Sequence, residues 1–180
     1  MSFLGDFATK IKPVSTWADL TLPEPHLQAL QEIAAHLGSG EQLSTGGATA
    51  LFSGENVPGK MIAAEALAQQ FGKELYRVDL SQIVSEYVDE TEKNLQRLFD
   101  AAEERGAILL FDEADALFGK QSEVKDGHDR YANIKINYLL QHMEQYSGVA
   151  ILAANTTCEW DPALLQRIRF LVDFPSTPVK

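Results

Sequence analysis

The chain has 180 residues, of which 45% are hydrophobic, with 15 Lys and Arg against 26 Asp and Glu and a formal net charge of −11. This size suits one buried core, and the acidic balance is opposite to the basic surface of nucleic-acid binders, so we expect no DNA or RNA partner. The single cysteine allows no internal disulfide, and no apolar run approaches a membrane span, so we expect a cytoplasmic protein without membrane contact.

Residues 1–47 are predicted to form an N-terminal segment and a helix that pack on the core. Met1 to Lys12 lacks the long apolar stretch of a signal peptide. Pro13 to Pro25 is interrupted by prolines, and Pro25 to Leu37 carries apolar residues along one side of a helix.

Residues 48–180 alternate between strand-like and helical patterns. The predicted strands are Ala48 to Ser53, Glu74 to Leu80, Ala107 to Asp112, Gly148 to Ala154 and Phe170 to Phe174. The predicted helices are Lys60 to Phe71, Thr91 to Arg105 and Arg130 to Tyr146. This alternation predicts an α/β fold in which a five-stranded parallel sheet has helices on both faces and right-handed crossovers.

The segment Gly54 to Met61 follows the first predicted core strand and has the spacing of a phosphate-binding loop, a Gly, four residues, then Gly-Lys. In such a loop, backbone N–H groups and the lysine contact phosphates, and a Ser or Thr hydroxyl contacts the metal. The residues that match are Gly54, Gly59 and Lys60, and those that depart are Glu55, Val57, Pro58 and Met61. Because Pro58 has no N–H and the Met61 thioether is a poor magnesium ligand, we expect a weakened nucleotide site.

The stretch Ala107 to Asp115 is an apolar run that stops at two adjacent carboxylates, Asp112 and Glu113. In open α/β sheets, ligands bind beyond the carboxyl ends of the strands, where a carboxylate pair can hold magnesium and activate a water. An acidic surface turn after a core strand is the alternative reading. The phosphate-loop pattern upstream favours the site.

These motifs, in this order, resemble the nucleotide-binding core of the AAA ATPases, a ring-forming family that couples ATP hydrolysis to protein remodelling. The likeness runs from about Trp17 to Pro175 and implies a P-loop NTPase-like three-layer sandwich. Gly54 to Met61 corresponds to the Walker A loop and Leu109 to Glu113 to Walker B. The further matches are Asn155 at sensor 1, Arg167 and Arg169 at the arginine-finger positions, and Asp161 to Phe170 in the second region of homology.

The resemblance implies roles for these residues with ATP and Mg²⁺ as ligands. Asp112 would hold the magnesium, Glu113 would polarise the attacking water, and Asn155 would orient water or the γ-phosphate. Arg167 or Arg169 would act on the ATP of a neighbouring subunit, so the active form would be an oligomer. Salt bridging at a helix end is the alternative for both arginines; the finger role is favoured for Arg167, and the two readings are balanced for Arg169.

Two further departures from the family are expected. At the position of the family's pore loop, Tyr87 matches an aromatic residue, although an ordinary exposed loop tyrosine is at least as good a reading. Glu86 and Asp89 make the tip acidic, which favours a basic partner over substrate threading. After the fifth core strand the sequence continues only from Phe174 to Lys180, so we expect the chain to lack the family's small helical lid.

Two functions fit this sequence. The preferred one is an AAA-type domain that binds and hydrolyses ATP weakly, as a homo- or hetero-oligomer, in protein remodelling or assembly. The carboxylates Asp112 and Glu113 and the amide Asn155 favour it, since an inactive site has no need for them. The alternative is a non-catalytic relative, a scaffold or regulator that supplies arginine fingers to an intact partner. The altered phosphate loop and the expected lack of a lid favour that one.

Overall fold

The computed structural model describes residues 8–20, 24–38, 48–54, 57–79, 88–112, 128–146, 148–154, 166 and 168–174. Within these ranges the strands are β1 (Ala8–Ile11), β2 (Ala48–Ser53), β3 (Leu75–Asp79), β4 (Ile108–Asp112), β5 (Val149–Ala154) and β6 (Phe170–Asp173). The helices are α1 (Glu24–Gly38), α2 (Val57–Phe71), α3 (Val88–Arg105) and α4 (His128–Gln145), with a 3-10 turn at Trp17–Asp19. None of the described helices is long and apolar enough to cross a membrane.

The strands form one mostly parallel sheet in the order β1-β3-β4-β5-β2-β6. The pairs β3 with β4, β4 with β5, β5 with β2, and β2 with β6 are all parallel. Helices cover both faces, so the predicted α/β class with a P-loop NTPase-like layered sheet is confirmed. The order places β2, which precedes the phosphate-loop segment, in the interior of the sheet between β5 and β6.

Within the described residues the sheet has six strands, so the predicted number of five was wrong by one. The additional strand is β1, an antiparallel edge strand beside β3. Ala8–Ile11 is short and partly exposed, and its outer positions are half-buried while its inner ones are exposed. A segment with so little apolar alternation forms a strand through its pairing with β3, which single-sequence periodicity does not reveal.

Two apolar layers enclose the sheet. One lies against α3 and α4, and its members include Leu95, Leu98, Phe99, Leu139, Met143 and Tyr146. The other lies against α1 and α2 and includes Leu30, Ile33, Ala64, Leu67, Ile108 and Leu110. The central strands β4 and β5 are continuous apolar runs because parallel strands covered on both faces have no solvent side.

The N-terminal segment is attached to helix α2 by side-chain hydrogen bonds. Oε1 of Glu65, a residue 8% exposed, accepts bonds from the backbone N–H groups of Val14 and Ser15, both at 3.0 Å. Two further contacts are Gln69 Nε2 to the Pro13 carbonyl, 2.7 Å, and Trp17 Nε1 to Gln70 Oε1, 2.6 Å. The helix that follows the phosphate-loop segment therefore carries the segment that leads out of β1.

Candidate nucleotide-binding site

The carboxyl ends of β2, β4 and β5 lie along one edge of the sheet. Ser53 at the end of β2 pairs with Ala154 at the end of β5. Phe111 of β4 pairs with Leu152 of β5, so Asp112, the last residue of β4, lies at the same edge. This edge is where open parallel sheets bind their ligands.

Two features of the backbone require a glycine at Gly54, the first residue of the phosphate-loop segment. Its φ of +117° is unfavourable for residues with a side chain, and an added Cβ would lie 2.3 Å from the carbonyl oxygen of Phe174. The Phe174 N–H donates to the Ser53 carbonyl at 2.6 Å, which holds the chain after β6 against this glycine. Gly54 is thus required by the packing of β2 on the end of β6, whether or not a phosphate binds.

Lys60 is buried, with 3% of its surface exposed, and connects two strand ends. Its ammonium donates to the carbonyl of Gly54 at 2.7 Å and to the carbonyl of Ala154. These two bonds orient the ammonium between the two strand ends. A positively charged group is therefore fixed at the edge where β2 and β5 end.

Helix α2 begins at Val57, three residues before the predicted start at Lys60. Pro58 is compatible with this earlier start because N–H groups in the first turn of a helix have no intrahelical partner, so a missing one costs little. Gly59 and Lys60 therefore belong to the first helical turn. Met61 is half-buried and packs against the apolar layer beneath α1 and α2, which is a packing role for a thioether.

Asp112 forms an ion pair with Arg77 of the neighbouring strand β3. Oδ2 of Asp112 lies 2.8 Å from Nε and 2.6 Å from Nη2 of Arg77, and the two side chains are 19% and 48% exposed respectively. Sequence reasoning missed Arg77. The available signal was an arginine in the middle of a predicted strand, but its reach to Asp112 follows from the register, in which Asp79 pairs with Asp112.

Arg169 lies at the opposite end of the sheet, where the parallel strands begin, immediately before β6. Its backbone N–H donates to Oγ1 of Thr49 at 2.9 Å, and its guanidinium lies 5.8 Å from the ring centre of Phe170. Thr49 and Gly54 lie at opposite ends of β2, roughly 16 Å apart at about 3.3 Å per strand residue, so the backbone of Arg169 is far from Gly54.

The other predicted catalytic residues, Glu113, Asn155 and Arg167, lie outside the described residues, as do Glu55 and Tyr87.

The residues at this edge fit magnesium that arrives with a nucleotide. The described part of the chain contains no group of three His, Cys, Asp or Glu side chains that could hold a metal by themselves. Magnesium bound with a nucleotide usually takes one or two protein carboxylates, with phosphate and water oxygens completing its shell. Asp112 at a strand end, near the edge that carries Lys60, supplies such a carboxylate.

The fold and this edge define an ATPase-type α/β core, and the family assignment follows. The family model of the ATPase family associated with various cellular activities (AAA) matches residues 50–176, so the chain belongs to this family. The resemblance inferred from the motifs is therefore confirmed.

Curated relatives share this core within longer chains. The chain is 28% identical over 169 residues to the uncharacterized AAA family ATPase y4kL of Sinorhizobium fredii, covering 91% of this chain and 51% of that protein. It is 31% identical over 185 residues to the ATP-dependent zinc metalloprotease FtsH of Rubrobacter xylanophilus, covering 94% of this chain and 28% of that protein. For spastin of Xenopus tropicalis the identity is 29% over 176 residues, covering 91% and 29%. The chain thus spans about half, or less, of the length of these relatives.

Proposed function

We propose that this chain is the ATP-binding core of an AAA protein that hydrolyses ATP weakly and works as an oligomer. The observation that carries the proposal is the buried Lys60 ammonium, which bridges the ends of β2 and β5 beside the strand that ends in Asp112. A buried cation next to a strand-end carboxylate matches a magnesium triphosphate. We further propose that residues 48–180 form the nucleotide-binding core and that residues 1–47 pack on it.

Each residue of the site would have a defined task. Lys60 would bind the terminal phosphates, and the first turn of α2 would direct backbone N–H groups toward them. Asp112 would hold the magnesium, whose positive charge would stabilise the transferring phosphoryl group. Glu113 would polarise the attacking water, and Asn155 would orient it.

Two features favour slow turnover. Met61 stands where a hydroxyl would contact the metal, and its packing against the apolar layer gives the thioether a different role. Pro58 removes one N–H from the first turn of α2. Both changes weaken phosphate and metal binding without removing Lys60 or Asp112.

The arginines motivate an oligomer. Arg169 is exposed and lies at the end of the sheet opposite to Lys60. A side chain there cannot serve the ATP of its own chain, whereas a neighbouring subunit could bring it to the next site. We propose that Arg167 or Arg169 acts in this way and that the assembly remodels or assembles proteins.

A non-catalytic scaffold is the second candidate, and one observation favours it. Asp112 is already engaged by Arg77 with two short contacts to one carboxylate oxygen. If that ion pair is permanent, Asp112 cannot serve a metal. In such a protein the remaining contribution to catalysis would be an arginine offered to an intact partner.

Titration with a fluorescent ATP analogue and magnesium, combined with a phosphate-release assay, separates the two candidates. Saturable binding that is lost in Lys60→Met and kept in Lys73→Met, together with release abolished by Glu113→Gln, supports the ATPase. Lys73 is an exposed lysine just beyond α2 and controls for the lost charge. No binding at millimolar nucleotide would leave the scaffold, and Met61→Thr tests whether a hydroxyl increases the rate.

A further inference from the structure

The most informative contact that the motifs did not anticipate is the ion pair between Arg77 and Asp112. We propose that Arg77 is a positioning residue that holds Asp112 in an ion pair and must release it before Asp112 binds magnesium. This inference rests on the proposed function of the same edge. It makes Arg77 a regulator of metal entry, acting through Asp112.

The geometry makes this contact specific. On β3 and β4, the residues Leu75, Ile108 and Leu110 face the apolar layer beneath α1 and α2. Strand alternation therefore places Arg77 and Asp112 on that same face, the side on which α2 carries Lys60. From the middle of β3, the Arg77 side chain extends toward the end of β4, and its Nε and Nη2 both lie against Oδ2 of Asp112.

The charges determine how this contact changes the affinity for a metal ion. The carboxylate and the guanidinium together carry no net charge, so the pair attracts a divalent cation less than Asp112 alone would. A metal on this carboxylate would also lie close to the positive guanidinium and be repelled by it. While Arg77 is engaged, magnesium affinity at this edge must be lower than the bare carboxylate would allow.

The contact can also open. The Arg77 side chain is 48% exposed, so its charged end can turn into water, where hydration replaces the ion pair. Ion pairs with this much exposure are weak and sensitive to salt. Arg77 therefore acts as a releasable latch, in contrast to a buried pair whose partners cannot be separated.

A purely structural tie between β3 and β4 makes a different prediction. If Arg77 served only to hold the strands together, removing it would loosen the sheet edge and metal affinity would stay equal or fall. As a latch, its removal raises metal affinity at Asp112. Metal affinity, measured separately from turnover, distinguishes the two roles.

Mn²⁺ provides a direct readout, since the free ion is quantified by electron paramagnetic resonance. Binding is measured on the full chain, without nucleotide and with a non-hydrolysable ATP analogue, for the wild type, Arg77→Ala, Arg77→Lys, and Arg77→Ala combined with Asp112→Asn. Arg105→Ala is the matched control, because Arg105 is 41% exposed and pairs with Glu74 at 3.3 Å, at the far end of β3 from Asp79. It removes the same charge without touching Asp112.

We expect Arg77→Ala to bind Mn²⁺ about twofold to fivefold more tightly than the wild type. Arg77→Lys should fall between them, because it keeps the charge and loses the planar fork. The added Asp112→Asn change should abolish the gain, and Arg105→Ala should match the wild type. If Arg77→Ala unfolds, Arg77→Gln keeps a polar side chain without the charge and is measured in its place.

Equal or weaker Mn²⁺ binding by Arg77→Ala, or a gain of the same size in Arg105→Ala, would overturn the latch. Failure of the proposed function would look different. Nucleotide binding by the wild type with saturating magnesium tests that function, and a wild type that binds no nucleotide would refute it. The nucleotide-free Mn²⁺ comparison would still decide the role of Arg77.

Discussion

The ammonium of Lys60 donates a hydrogen bond to the carbonyl of Ala154, which lies 94 residues further along the chain. Together with the bond to the Gly54 carbonyl, it ties the first turn of α2 to the ends of β2 and β5. One side chain therefore has a structural task and a proposed phosphate-binding task. Substitution should affect both.

Replacement of Lys60 by Met keeps most of the aliphatic stem and removes the donor. The buried carbonyls of Gly54 and Ala154 would each lose a hydrogen bond, so the free energy of unfolding should fall by about 1–3 kcal/mol. ATP affinity should fall by at least about tenfold because a charged phosphate contact is lost. Urea denaturation and ATP titration measure the two effects, and Lys73→Met should change neither. Unchanged ATP affinity in Lys60→Met would contradict the phosphate role.

Gly54, which directly follows β2, offers a test of the strand packing at this edge. In Gly54→Ala, the new Cβ would meet the Phe174 carbonyl oxygen at 2.3 Å, in a backbone conformation with φ of +117°. We expect a loss of about 2–5 kcal/mol in the free energy of unfolding, from strain and overlap together.

Gly72→Ala is the matched control for this change. Gly72 also has positive φ, at +64°, but an added Cβ would meet nothing within 4 Å. In Gly72→Ala, the free energy of unfolding should fall only by the cost of placing a side chain at positive φ, about 1–2 kcal/mol. Chemical denaturation of both variants measures the difference, and equal losses would show that the Phe174 carbonyl moves aside.

The parallel core could be predicted from the sequence because its signals are local. The apolar runs of β4 and β5 are long enough to mark buried strands, and the helix stripe that includes Leu95 and Leu98 has the period of a helix. Strand β1 was missed because pairing with β3 defines it. The early start of α2 at Val57 was also missed, although the first turn of a helix tolerates a proline such as Pro58.

For the candidate site, the sequence predicted which types of residue take part but not which of them are in contact. Gly-Lys spacing and a strand-end Asp identify Lys60 and Asp112 as candidates because those groups suit a phosphate and a metal. Arg77 could not be assigned to Asp112 in the same way, since that contact depends on which strand lies beside β4 and in which register. Edge and register are properties of the whole sheet, so the sequence order of motifs does not contain them.

The attachment of the N-terminal segment should depend on Glu65. Its carboxylate accepts two backbone hydrogen bonds, from Val14 and Ser15, while being 8% exposed. In Glu65→Ala, these N–H groups lose their acceptor. We therefore expect the free energy of unfolding to fall by about 1–3 kcal/mol and amide exchange in residues 8–17 to become faster.

Hydrogen-exchange mass spectrometry checks the Glu65 prediction. Gln69→Ala is the control, because Gln69 is exposed and donates one bond to the Pro13 carbonyl. It should raise exchange in the same segment much less. If exchange in Glu65→Ala matched the wild type, pairing of β1 with β3 alone would hold the segment.

His142 should make the stability of the protein depend on pH. Its ring stacks on Phe99 at 5.4 Å between ring centres, and burial lowers its pKa below the usual value, more than the charges of Glu92 and Asp100 raise it. The unfolded chain therefore takes up a proton as the pH falls through about 6.5, while the folded chain resists protonation. Above that pH, His142 should not make the free energy of unfolding depend on pH. Below it, protonation of the unfolded chain should lower the free energy of unfolding.

Urea unfolding at pH 8.0, 7.0, 6.0 and 5.5 tests the sign. His142→Phe keeps an aromatic ring against Phe99 and cannot be protonated, so its unfolding free energy should fall less between pH 7 and pH 5.5 than that of the wild type. At pH 8, where histidine is neutral in both states, the two proteins should differ by packing alone. A parallel pH profile for the two proteins would show that another group causes the acid sensitivity, and a steeper one for His142→Phe would reverse the assigned sign.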